Sequence, residues 1–314
     1  MIVEFNPKLL LGNITVSTEL KQYYEKNIEA IATIFSEYID ISNVEKIVVP
    51  NNFVDEVLEY QVQIGYKNPS VTNNEFGKAY GKLLLNQHSG KHIVFLDSEI
   101  TTFLMRDSLT ENIIKIAGEE NRKTIEDGTQ KALNLLAHEL SHAEFANKVK
   151  QPTFNNSYQS QLENLCYQLL DEYYVCRKSS YLTSINLLTY DENYIYDIEE
   201  RIIEEKWKYK THQISLNDFC NYFHLLTRQT LINMVSIVSV LDKDLSNSAY
   251  YENCLIGMIV DIFKTEFDRI YYDIHDDKKF VIPNSLLEAI NSYYQSFGVY
   301  ISEEPTGLYY YTPD

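Results

Sequence analysis

Between Leu133 and Ala143 the chain is apolar on both sides of a helical wheel. Leu133, Leu136, Leu140 and Ala143 lie on one side, and Leu135, with the later Phe145 and Val149, lies on the other. A helix that is apolar all round is buried between layers rather than laid on a surface. Three ionisable residues interrupt it: His138, Glu139 and His142. Once buried, each of them needs a partner. A fold for this chain therefore has to cover this helix on two sides and satisfy a polar centre within it.

The remaining pattern indicates how. Helical periodicity predicts helices over residues 20–39, 129–150 (closed before Pro152), 157–182, 192–208, 216–241, 249–272 and 285–297. Strands are predicted at 46–49, stopped by Pro50, and at 59–66, where Tyr60, Val62, Ile64 and Tyr66 alternate with Gln61 and Gln63. Residues 79–85 and 92–96 flank Asn86-Gln87-His88-Ser89-Gly90-Lys91 and read as a hairpin. The aromatic tail, 299–311, reads as a returning strand or a packed arm. The expectation is an α+β fold, with a small N-terminal mixed or antiparallel sheet packed on the 129–150 helix and a largely helical C-terminal region. With 10 Gly and 7 Pro in 314 residues, no linker stands out. Regions 1–128 (sheet side), 129–182 (helix pair) and 183–314 (helical) are therefore read as parts of one continuous unit.

Composition excludes some function classes. A net charge of -18 without clustered Lys and Arg argues against a nucleic-acid footprint and against attraction to anionic membranes. The N-terminal residues lack the basic start and apolar run of a secretory signal. The stretch 231–241 is broken by Asn233, Ser236 and Ser239 and is short of the roughly 20 apolar residues of a membrane span. The four cysteines form no C-x-x-C pair and read as free thiols, which points to a cytoplasmic, reducing interior. Oligomeric state is not encoded in any feature found.

The chemistry concentrates in His138-Glu139-Leu140-Ser141-His142. Residues four apart share a helix face, so both imidazoles can aim at one point. Zinc accepts imidazole nitrogen in a tetrahedral shell. Glu139 is turned about 100° away and can sit beside a metal-bound water. A third ligand follows from the next helix, where Leu165, Leu169, Glu172 and Cys176 fall on one line and Glu172 interrupts an apolar stripe. An unpaired carboxylate there is costly, and a cation is its natural counter-charge. Asp171 ranks behind it, about 100° off that line. The alternative is a structural bridge from Glu172 to Arg177 or another cation.

H-E-x-x-H followed by a glutamate on the next helix resembles the zincin metallopeptidases, in the gluzincin-like subgroup whose third ligand is Glu. Glu172 lies 30 positions after His142, which fits that arrangement. The segment from Asp171 through Glu172-Tyr173-Tyr174-Val175-Cys176-Arg177 also resembles a Glu-Tyr-x-x-x-Arg element of some bacterial and phage H-E-x-x-H proteins. The likeness covers residues 129–180 and, more loosely, the upstream sheet. It implies Zn2+ held by His138, His142 and Glu172, Glu139 as general base, a peptide or protein substrate, and a substrate-pairing edge strand for which the 79–96 hairpin is the candidate. The chain departs from the family at Glu144, where zincins carry an apolar residue. Arg177, Tyr173 and His224 are candidates for bracing the site or stabilising an oxyanion, although His224, between Phe223 and Leu225, reads first as a core histidine. A second function class is a zinc-binding, zincin-like regulatory or host-interaction protein with little turnover. His88 and His92, in a turn, and the acidic run 273–277 rank lower as metal sites. Nucleotide-binding glycine loops and a G-x-S-x-G elbow are absent from the sequence.

Overall fold

The computed structural model describes residues 1–10, 14–74, 77–105, 107–183, 192–241, 251–305 and 307–313. They form two compact units: residues 1–147 with 178–187, and residues 148–177 with 188–314.

The first unit is built on a four-stranded mixed sheet. Its elements are β1 (Ile2–Phe5), the two-residue strands β2 (Leu9–Leu10) and β3 (Ile14–Thr15), α1 (Thr18–Phe35), β4 (Val44–Val49), α2 (Phe53–Gln63), the short β5 (Asn73–Asn74) and β6 (Gly77–Lys78), β7 (Gly81–Asn86), β8 (Lys91–Leu96), α3 (Ser98–Thr101), α4 (Asp107–Ala117) and α5 (Arg122–Lys148). The strand order is β1-β4-β8-β7. The first three run parallel, with Phe5 opposite Val49 and Val48 opposite Phe95, and β7 closes the edge antiparallel to β8, with Gly81 opposite Leu96. Period-two alternation divides the strand residues between two layers. Val48, Leu84, Ile93 and Phe95 pack with Phe53, Val57 and Ile64 at α2. Ile47, Val49, Val94 and Leu96 pack with Ile28 and Ala32 of α1 and with Leu136, Leu140 and Ala143 of α5.

The predicted strand at 59–66 is helix instead. The chain leaves β4 through Pro50, and Asn52 caps the new helix by accepting from the Asp55 N–H at 3.4 Å. Glu56 reaches back to accept from the N–H groups of Asn51 and Asn52, at 2.8 and 2.9 Å. These bonds satisfy donors that open every helix. Phe53, Val57 and Gln61, four apart, become the buried line, while Val62 from the apparent alternating face is 62% exposed. The predicted 129–150 helix begins earlier, at Arg122, and runs through Gly128. The glycine is accommodated because the Phe103 ring lies where its Cβ would be.

The second unit is helical. It contains α6 (Tyr158–Thr183) up to Arg177, α7 (Glu192–Lys210), α8 (Leu216–Val238), a 3-10 turn at Leu255–Met258, α9 (Val260–His275), α10 (Asn284–Ser296) and a terminal hairpin, β9 (Tyr300–Glu304) with β10 (Gly307–Tyr311). Ser215 and Asp218 form a reciprocal capping box at the start of α8. The predicted helices at 157–182, 192–208, 216–241 and 285–297 each match within a few residues, and the aromatic tail does return as strand. The predicted 249–272 helix is corrected: α9 starts at Val260, residues 255–258 form the 3-10 turn, and residues 249 and 250 lie outside the described residues. Fully buried Phe219, Phe223, Phe263, Phe267 and Tyr293 fill the interior of this unit. A small mixed sheet followed by a helical C-terminal region is the α+β arrangement expected.

Asn52→Ala tests α2 directly. Loss of the cap should cost about 1 kcal/mol in urea unfolding, whereas a strand at this position would be indifferent to it.

Candidate metal centre

The apolar flanks of α5 explain how its polar residues come to be held. Leu136, Ala137, Leu140 and Ala143 are buried without remainder, while His138 and His142 are half-buried one turn apart. Their ring centroids are 4.8 Å apart, with the planes at 82°. Glu172 of α6 joins them. One ligand atom from each of His138, His142 and Glu172 lies within 4.8 Å of the others, and all three residues are half-buried. Tetrahedral ligands at zinc distances stand about 3.3–3.4 Å apart, so modest side-chain rotation closes the triangle. Two imidazoles and one carboxylate are a donor set that zinc accepts, and the residues fit it.

Glu139 is 5% exposed. It is turned away from the ligand line, as the helix pitch requires, and towards the sheet. Its carboxyl group occupies the space where a side chain at Gly81 would be. Gly81 opens β7, so the carboxylate lies against the first residue of the edge strand. Sequence reasoning missed this contact, because nothing local to Gly81 connects it with a residue 58 positions downstream.

Two neighbours condition Glu172. Arg228 of α8, also missed from sequence, interacts electrostatically with Glu172 and donates to Gln168, one turn before it on α6, at 3.1 Å. Cys176, one turn after Glu172, is buried. Burial first, and the Glu172 charge second, push its thiol well above the ordinary range. It therefore stays a neutral thiol and does not compete as a thiolate ligand.

The other sequence candidates are held elsewhere. The Tyr173 hydroxyl donates to Asp268 of α9 at 2.6 Å, Arg177 pairs with the same carboxylate, and Lys264 approaches it at 3.5 Å. The Arg177 guanidinium also lies over the Tyr271 and Tyr272 rings, at 4.9 and 5.6 Å. His224 shares a hydrogen bond with the Tyr310 hydroxyl at 2.6 Å and sits against Phe223 and Tyr294, and burial lowers its pKa. It is a satisfied core histidine. His92 meets Asn43 at 2.6 Å, and the acidic run 273–277 is paired with cations, Asp273 with Arg269, Asp276 with Lys278 and Asp277 with Lys148.

Among the described residues, no helix is long and apolar enough to cross a membrane. No family model, curated protein or solved structure matches this chain.

The backbone of Gly81 tolerates a side chain, but the space does not. Gly81→Ala should therefore leave the fold and the His138, His142 and Glu172 grouping intact while displacing the Glu139 carboxylate. If Glu139 handles protons, turnover in that variant should fall by about 100-fold, the order seen when a positioned group moves by an ångström. A Gly81→Ala protein with wild-type turnover would show that the position of Glu139 does not matter.

Proposed function

We propose that this protein is a zinc-dependent peptidase. The observation that carries the reading is the convergence of His138, His142 and Glu172, with Glu139 beside them at the start of an edge strand. His138, His142 and Glu172 would hold the metal. Bound there, zinc supplies a Lewis acid that polarises a carbonyl and lowers the pKa of water to about 7.

The protein's own residues do the rest. Glu139 takes the proton from the attacking water and returns it to the nitrogen of the leaving amine. Its carboxyl group is held against Gly81 at the start of β7, beside the two histidines. The edge strand supports a peptide substrate. The Asp97 N–H donates to the Tyr80 carbonyl at 2.7 Å, which makes that pair a hydrogen-bonded one in the β7–β8 ladder. Alternation then turns the main-chain groups of Lys82 and Leu84 towards β8 and those of Gly81, Leu83 and Leu85 outwards. No other strand of the described residues pairs with that outer edge. An extended peptide can add there as a further strand, with its scissile bond at the Gly81 end, nearest Glu139.

The surroundings suit a cytoplasmic enzyme. All four cysteines are free thiols, and three of them are buried. The strong negative charge disfavours nucleic acid and anionic lipid as partners.

Elemental analysis of the purified protein should find about one zinc per chain, and His138→Ala should lose it. Glu139→Gln should keep the zinc and lose peptide cleavage by at least about 100-fold, read by mass spectrometry of a peptide mixture incubated with each protein. Zinc bound equally by both proteins, with no cleavage by either, would support the zinc-binding regulatory reading instead. Absence of zinc from the wild type would defeat both.

A further inference from the structure

The family likeness leaves one residue without a role. Glu144 stands two positions after His142, where an apolar residue is expected, and it is 4% exposed. A carboxylate in that position is either a defect or part of a device. Its surroundings decide which. Lys178 of α6 brings its ammonium to 3.2 Å from Glu144, and the Lys178 and Glu144 side chains are 17% and 6% exposed. The Asp40 N–H donates to the other Glu144 oxygen at 3.4 Å. The charge is matched by a lysine on the helix that carries Glu172.

The geometry of the two helices gives the pair a consequence. Glu144 is half a turn past His142 on α5. Lys178 is less than two turns past Glu172 on α6, which is one unbroken helix over Tyr158–Thr183. A second bond joins the same helices beyond the other histidine: the Asn134 amide, one turn before His138, donates to the Thr183 hydroxyl at 2.7 Å. Polar bonds thus bracket the histidine pair on α5 and hold the last turns of α6. Because a helix segment of this length is stiff, what holds Lys178 also sets where Glu172 stands.

We propose that the buried Glu144–Lys178 ion pair is a positioning clamp that sets Glu172 against His138 and His142. This inference rests on the three-residue metal site proposed above. Neither member of the clamp touches the metal. It acts through α6, and it explains a charged residue at position 144 as part of the site's construction. Partners outside the ligand shell that orient a metal ligand are commonly worth about 10–100-fold in metal affinity. A buried ion pair is also intolerant of losing one member, because the other is left as an uncompensated charge.

The test is zinc affinity, measured by competition with a chromophoric chelator on folded protein. The variants are Lys178→Met, Glu144→Gln and the exchange Glu144→Lys with Lys178→Glu. Either single variant should bind zinc at least about tenfold more weakly, and the exchange, which restores an ion pair between the same helices, should recover most of that loss. If a single variant fails to fold, the apolar double variant Glu144→Leu with Lys178→Met removes the clamp without stranding a charge, and it should show the same weakening. Lys178→Met in a Glu172→Ala background separates positioning from general support. A clamp acting through Glu172 adds no further loss there, whereas a merely structural pair adds its full effect in both backgrounds. Wild-type zinc affinity in the folded single variants, or full additivity with Glu172→Ala, would overturn the clamp and leave the zinc site standing. A wild type that binds no zinc would overturn the site and the clamp together.

Discussion

The burial of α5 governs the rest of the structure. One flank of this helix is pressed by Leu136, Leu140 and Ala143 into a core shared with the sheet and α1, and Phe145 and Val149 are buried as well. With its apolar positions enclosed, the helix cannot rotate to release its polar ones to solvent. Rotation by one residue, about 100°, would pull Leu136, Leu140 and Ala143 out of that core. The imidazoles and the carboxylate are therefore held at fixed azimuths by residues that take no part in chemistry. That rigidity suits the proposed metal site, where ligand geometry would have to exist before an ion arrives.

Edge position and helix orientation combine in the same way at Glu139. The residues of β7 that face α5 are those whose main-chain groups point away from β8, since side-chain face and hydrogen-bond direction both alternate with period two. Gly81 meets both conditions. Its missing Cβ admits the carboxylate, and its peptide groups lie on the open edge. One glycine thus brings the Glu139 carboxylate next to a surface where an extended backbone can pair.

Much of this was legible in the sequence, for physical reasons. The H-E-x-x-H pair could be read because helix spacing is local and His138 and His142 share one face by arithmetic alone. Glu172 could be read because a carboxylate in an apolar stripe is expensive wherever that stripe packs. The hairpin around Gly90 and the helices after Tyr158 announced themselves by period. Residues 59–66 misled because period two over a short window also arises on a helix, and the decisive signal was the capping set Asn52, Asp55 and Glu56 upstream. The early start of α5 was hidden by Gly128, whose bare backbone serves Phe103, 25 residues away. Gly81, Arg228 and Lys178 stayed invisible for one shared reason: each matters through a partner far off in sequence, and no local pattern encodes such a meeting.

Charge bears on the proposal of a metal, rather than protons, at the His138–His142 pair. Glu172 and Glu139 bring two carboxylates to this neighbourhood, and Arg228 interacts electrostatically with the first of them. Protonating both histidines would balance the charge but would place two cations 4.8 Å apart by ring centroid. At an effective dielectric of about 20 that repulsion is roughly 3–4 kcal/mol, in addition to the cost of charging two partly buried rings. A divalent ion supplies the same two positive charges at a single point. It would need the imidazoles neutral, and it would replace their mutual repulsion with two bonds to a common centre. The residues around it follow the same electrostatic logic: Cys176 is kept neutral by burial, and Glu144 is matched by Lys178.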